Sequence, residues 1–106
     1  MVTIRKYSET VKQDLRSDPD FRRALLGEVL ASMVSGDVET GKSVLRQYVN
    51  GTVGFVQLGT ALGKSPKSLM RMLSPSGNPN LRTFFEIVAY LQKVDRTILT
   101  VHGVAA

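Results

Sequence analysis

Four side chains in one short stretch have the types and spacing to read base-pair edges. Ser65, Lys67, Ser68 and Arg71 lie within GKSPKSLMRMLS, residues 63–74, and no acid interrupts them. Arginine and lysine donate to guanine edges, and serine serves either a base or a phosphate. Around them stand Gln57, Lys64, Ser74, Asn78 and Arg82, whose chemistry suits backbone phosphates. The loop Ser74-Pro75-Ser76-Gly77-Asn78-Pro79-Asn80 adds small polar donors and backbone amides directly after this stretch. Met70 is suited either to a thymine methyl or to filling a gap.

To present such residues the chain needs a short helix, a tight turn and a second helix. Phe55 to Ser74 has that pattern. Leu58 and Leu62 share one face of the first helix. Gly59 falls where a large side chain would hold the second helix away. Gly63 follows Leu62, where the chain must leave the helix through a left-handed residue. Ser65 and Pro66 read as N-cap and first helical residue of the second helix. Leu69 and Met72 turn inward, which leaves Lys67, Ser68, Met70 and Arg71 on the other faces. An ordinary helical hairpin with a glycine turn shares much of this spacing. The small residue, the turn glycine, the inward apolar positions and the acid-free second helix together favour a helix-turn-helix for a DNA major groove.

Other chemistry finds little support. His102 is the only histidine and there is no cysteine. No Ser/His/Asp set or thiolate site can be assembled from these, and no metal-ligand spacing or phosphate-cradling glycine motif occurs. Asp14, Asp18 and Asp20 are close in sequence, but a proline helix start divides them and Asp18 is better used as a cap. The sequence therefore predicts no enzyme, no metal and no cofactor.

Composition agrees with a folded domain. The 106 residues suit one domain, with 42% hydrophobic and 22% charged residues. No stretch approaches a membrane span or a signal-peptide core, so a soluble cytoplasmic protein is expected. Net charge is +5, unevenly spread. Residues 1–50 hold eight basic and seven acidic side chains, and residues 51–106 hold six and two. The basic excess thus lies in the half that carries the motif, as a polyanionic partner would require.

In chain order, residues 1–17 read as an extended arm over 1–7 and a short helix from Ser8 to Leu15. Residues 18–95 read as the helical DNA-binding domain, with the helix-turn-helix at 54–74. Asp18 and Pro19 start a helix that runs to about Val34, with Phe21, Leu25, Val29 and Met33 on one face and Arg22, Arg23 and Glu28 toward solvent. Ser35-Gly36 closes it and Asp37 caps the next, which runs through about Asn50. Gly41 weakens that helix by about 1 kcal/mol relative to alanine. The motif's first helix is expected to begin near Thr52 or Val53. Leu81, Phe84, Phe85, Val88 and Leu91 predict a last helix whose stripe is core. Residues 96–106 read as a C-terminal strand and tail: the β-branched stretch from Arg96 to Gly103 predicts a short strand, paired with Val2-Thr3-Ile4 or with its copy in a second subunit. The expected fold is an all-α bundle of five to six helices with a helix-turn-helix, plus a short C-terminal β-strand.

The stretch GFVQLGTALGKSPKSLMRMLSPSGNPNLRTFFEIVAYL resembles the helix-turn-helix antitoxins called addiction-module antidote proteins, a HigA-like branch of the phage-repressor (XRE) class. The resemblance rests on Gly54, Gln57, Leu58, Gly59, Gly63, Ser65, Ser68, Leu69, Arg71, Leu73, Ser74, Gly77, Asn78 and Pro79. Tyr7-Ser8, Asp18-Pro19-Asp20 and Ser35-Gly36-Asp37 fit the family's order upstream, so it covers roughly residues 7–101. Three positions depart: Gly59 stands for the commoner alanine, Lys64 for an apolar residue, and Pro66 for a polar or basic one.

The resemblance implies a lambda repressor-like fold and a small cytoplasmic homodimer. It implies binding to double-stranded operator DNA upstream of the protein's own operon, and neutralisation of a cognate toxin, often a RelE-like ribonuclease. The more acidic N-terminal helices are the expected toxin surface. Two other readings are a solitary transcriptional regulator and a protein-interaction module that has lost DNA binding.

Overall fold

The computed structural model describes the backbone of residues 4–106 and the side chains of residues 10–106. The chain forms α1 (Ile4–Ser17), α2 (Pro19–Val34), α3 (Val38–Gly51), α4 (Gly54–Leu62), α5 (Pro66–Met72) and α6 (Leu81–Val94). The helices enclose one apolar core, in which Leu15, Leu26, Leu45, Tyr48, Leu58, Leu69, Leu73, Phe84, Ile87 and Leu91 are almost fully buried.

Local chemistry starts and stops most of these helices. Asp18 Oδ1 accepts the amides of Asp20 and Phe21 at 3.0 and 3.2 Å, and Pro19 occupies the first helical position. Asp37 caps α3 by accepting the Thr40 amide at 3.2 Å and the Thr40 hydroxyl at 2.7 Å. Those hydrogen bonds, the hydroxyl's first, hold the Asp37 carboxyl below the usual carboxylate range. Asn80 caps α6 through the Thr83 amide at 3.2 Å.

Five expectations are corrected. The extended arm over residues 1–7 does not hold, because α1 already begins at Ile4 and Ser8 lies inside it rather than capping it; residues 1–3 lie outside the described part. Packing against α2 and α3 overrides the weak intrinsic propensity of this segment. Leu15 is fully buried against α3, so near that a β-carbon at Gly51 would sit 2.5 Å from its Cδ1. Arg22 does not face solvent. Its Nε donates to Asp95 Oδ1 at 2.6 Å and its Nη1 to the Leu15 and Arg16 carbonyls at 2.9 and 3.3 Å. This guanidinium ties the end of α1 and the end of α6 to α2.

The apolar stripe of α6 is only partly core. Leu81 and Phe85 are 74% and 48% exposed, whereas Phe84, Ile87, Val88 and Leu91 are buried. At about 100° per residue, Phe85 falls off the buried arc that Phe84 centres, and its ring meets that of Phe84 edge-on at 5.4 Å. The C-terminal strand is not formed. Among the described residues there is no strand, and residues 97–106 run without helix, turn or bend. The motif's first helix starts slightly later than expected, at Gly54, whose φ is 80°. Gly41 also has a packing role, since a β-carbon there would meet Met33 Sδ at 2.5 Å.

Candidate nucleic-acid interface

The turn between α4 and α5 is built from its glycines. Gly63 adopts φ 65°, ψ 36°, the left-handed conformation. Its amide bonds to Thr60 O at 3.4 Å and the Lys64 amide to Gly59 O at 2.9 Å, so two orphan carbonyls of α4 are satisfied. The chain then folds back on itself. A β-carbon on Gly59 would lie 2.5 Å from the Lys64 carbonyl oxygen and 3.3 Å from the Pro66 ring. Gly59 is thus the residue that admits this close a turn.

Ser65 Oγ accepts the Ser68 amide at 3.4 Å and Pro66 opens α5. Leu69 is buried and Met72 half-buried, as the inward positions require. Lys67, Ser68, Met70 and Arg71 are exposed. The Arg71 and Lys67 side chains have no ion pair or hydrogen bond among the described residues, and nor do those of Lys64 and Arg82.

Ser68, Arg71, Met72, Ser76, Gly77 and Asn78 line one open cleft of about 340 Å³ between α5 and the following loop. Two residues expected at base edges and one expected at phosphate therefore share a surface. Lys64 is exposed at the turn, and Arg82 is exposed in the first turn of α6.

Three expected contacts are already engaged within the protein. The Ser74 hydroxyl donates to Arg71 O at 2.7 Å and its amide to the same oxygen at 3.2 Å. Ser74 thereby closes the end of α5 and has no proton left for a phosphate. Gln57 Nε2 donates to the Tyr90 hydroxyl at 3.0 Å, which links α4 to α6. It lines a separate cavity of about 390 Å³ with Leu15, Tyr48, Leu91 and Asp95, away from the α5 cleft. Ser65 acts first as the N-cap, and its hydroxyl proton remains available.

Two cations on α3 complete the site. Lys42 is 2% exposed, and its ammonium donates to the carbonyls of Ser74, Pro75 and Gly77 at 3.1, 3.3 and 2.7 Å while pairing with Glu39 at 2.9 Å. Arg46 Nη1 donates to Leu73 O at 2.6 Å. Arg46 thus meets the C-cap carbonyl of α5, at the negative end of the helix dipole, and Lys42 gathers the carbonyls of the loop that follows. They fix the loop that forms one wall of the cleft. The loop itself is tight, because a β-carbon on Gly77 would fall 2.1 Å from Arg71 O and 2.7 Å from Met72 O. Sequence reasoning passed over Lys42 and Arg46. The available signal was their place on the apolar arc of α3, three residues before Leu45 and Val49 respectively, where a cation must find buried acceptors.

His102 is exposed in the C-terminal segment, 3.2 Å from the Thr100 hydroxyl. Asp18 is engaged as a cap and Asp20 pairs with Arg23 at 2.7 Å. No described helix is long and apolar enough to cross a membrane. Comparison with protein-family models, curated proteins and solved structures returned no match.

Proposed function

We propose that this chain is a sequence-specific double-stranded DNA-binding protein that places α5 in the major groove, with Ser65, Lys67, Ser68 and Arg71 toward base edges. Lys64, Asn78 and Arg82 serve the flanking phosphates. The observation that carries the reading is the contrast around α5. Its outer cations lack an internal partner among the described residues, while Leu69 on its inner face is buried and the carbonyls of Leu73 and the following loop are held by Arg46 and Lys42. A helix fixed in this way can hold arginine and serine at base-edge geometry.

Within that reading the protein is the antitoxin of a type II toxin–antitoxin pair, repressing its own operon and neutralising a cognate toxin in the cytoplasm. The resemblance of residues 54–79 to addiction-module antidote proteins supports this step. A solitary transcriptional regulator has the same DNA chemistry and lacks only the toxin.

Fluorescence anisotropy on the DNA upstream of the gene, against a scrambled duplex at two salt concentrations, tests the DNA reading. Selective binding that weakens steeply with salt is the expected result. Equal, weak binding to both duplexes would replace it with the interaction-module reading, which the exposed Leu81 and Phe85 favour. Co-expression with the product of a neighbouring small basic gene tests the antitoxin step: growth should be rescued and a stable complex should co-purify.

A further inference from the structure

Tyr48 is only 1% exposed, and its hydroxyl has no hydrogen-bond partner among the described residues. A polar group so placed costs stability unless something from outside the fold meets it. Tyr48 stands near the end of α3, and its hydroxyl is close enough to Asp95 and Arg22 to feel both charges. All three residues line the open cavity of about 390 Å³ that lies among the ends of α1, α3 and α6 and the start of α4. The free hydroxyl is therefore aimed into that cavity.

The polar groups around it have donors to spare. Asp95 is already satisfied, because its Oδ1 accepts Arg22 Nε at 2.6 Å and its Oδ2 accepts the Thr97 hydroxyl at 2.9 Å. Arg22 spends Nε and Nη1 inside the protein, and its Nη2 has no partner among the described residues. Arg16 is exposed at the same opening. Two guanidiniums against one carboxylate leave the lining net positive. The remaining walls are apolar. Leu15 and Leu91 are buried at the base, Val53 is half-buried, and Val94 is 48% exposed at the rim.

We propose that this cavity binds a small organic carboxylate, its oxygens on the Tyr48 hydroxyl and Arg22 Nη2 and its apolar body against Val53 and Val94. The volume lies in the range of small-molecule sites, and a few placed donors within apolar walls are their usual make-up. Water alone would meet the hydroxyl but gain nothing from the rim. A bare inorganic anion would likewise leave the rim unused. The site is separate from the cleft beside α5 and does not rest on the DNA-binding reading.

Benzoate and hexanoate are the probes, with benzamide and inorganic phosphate as controls. Each is titrated into the full chain without DNA, by calorimetry and by amide shifts in nuclear magnetic resonance. Both carboxylates should bind saturably, raise the melting temperature and shift the amides of Thr52, Val53 and Asp95. The two controls should bind far more weakly. Tyr48→Phe keeps the ring and should cost about tenfold or more in affinity. Val94→Glu sets a like charge at the rim, on an exposed position of α6, and should abolish binding with unchanged helical circular dichroism.

No saturable binding of either carboxylate would overturn the site. Equal binding of benzamide would remove the role of the charge, and equal binding of phosphate the role of the apolar walls; either result would overturn the assignment. Carboxylate affinity unchanged in both variants, or shifts confined to α5, would place the binding elsewhere and overturn it too.

Discussion

Two sets of cations, one on α3 and one on α5, have opposite fates. Lys42 and Arg46 reach from α3 into the carbonyls that end α5, and Lys42 is 2% exposed. Lys67 and Arg71, on α5 itself, are exposed and touch no acceptor of their own chain among the described residues. The charge is the same and the surroundings decide its use. Buried cations are kept only where oxygens meet them, so they become part of the scaffold. Exposed cations gain little from the fold and remain available for an outside anion. Sequence distance does not separate the two roles; the helix face does.

The largest expected effect comes from the scaffold. Lys42→Met keeps the buried stem but leaves the Ser74, Pro75 and Gly77 carbonyls without their shared donor. We expect a loss of about 2–4 kcal/mol in chemical denaturation, with DNA affinity falling in parallel as the loop loses its position. Unchanged stability would erase the distinction between the two sets.

Alkaline titration sharpens the buried side. Burial, together with the nearby Asp95 carboxylate, raises the Tyr48 hydroxyl from 10.0 to about 12. A raised pKa favours the protonated folded form. Its contribution is intact below pH 10 and is lost as pH rises toward about 12, when the unfolded chain ionises first. The loss should amount to about 2–3 kcal/mol, and Tyr48→Phe should remove that part of the pH dependence.

The exposed set should behave the other way. Arg71→Ala should leave the melting temperature unchanged and cost about 1–3 kcal/mol of operator affinity, concentrated at one base position. A loss spread evenly over all sequences would reassign it to a phosphate. Lys64→Ala should have the smallest effect. It should weaken binding to every duplex and reduce the salt slope by about 1.

The local devices of the motif were legible in the sequence because each follows from one or two residues. Gly63 at a helix end, Ser65-Pro66 at the next start, and Asp18 and Asp37 as caps all form as expected. What sequence reasoning missed depends on neighbours distant in the chain. Arg22 reads as a surface residue until Asp95, 73 positions away, is brought beside it. Lys42 reads as one more helix charge until the carbonyls of residues 74–77 close around it. Leu81 and Phe85 follow the three-and-four rhythm, but which arc of α6 is buried depends on the other helices. In the C-terminal segment composition expresses a preference for strand, and a preference alone supplies no pairing partner.

Because Lys42 and Arg46 hold α5 from behind, the outer positions of that helix carry none of the bonds that keep it in place. Lys67, Ser68 and Arg71 can drift to other residues while the fold is maintained by α3 and by Gly77. Such an arrangement separates folding from recognition. A lineage could exchange one operator sequence for another through a few surface substitutions, each nearly silent in stability, and two diverged copies in one cell could stop cross-regulating each other without either passing through an unfolded intermediate.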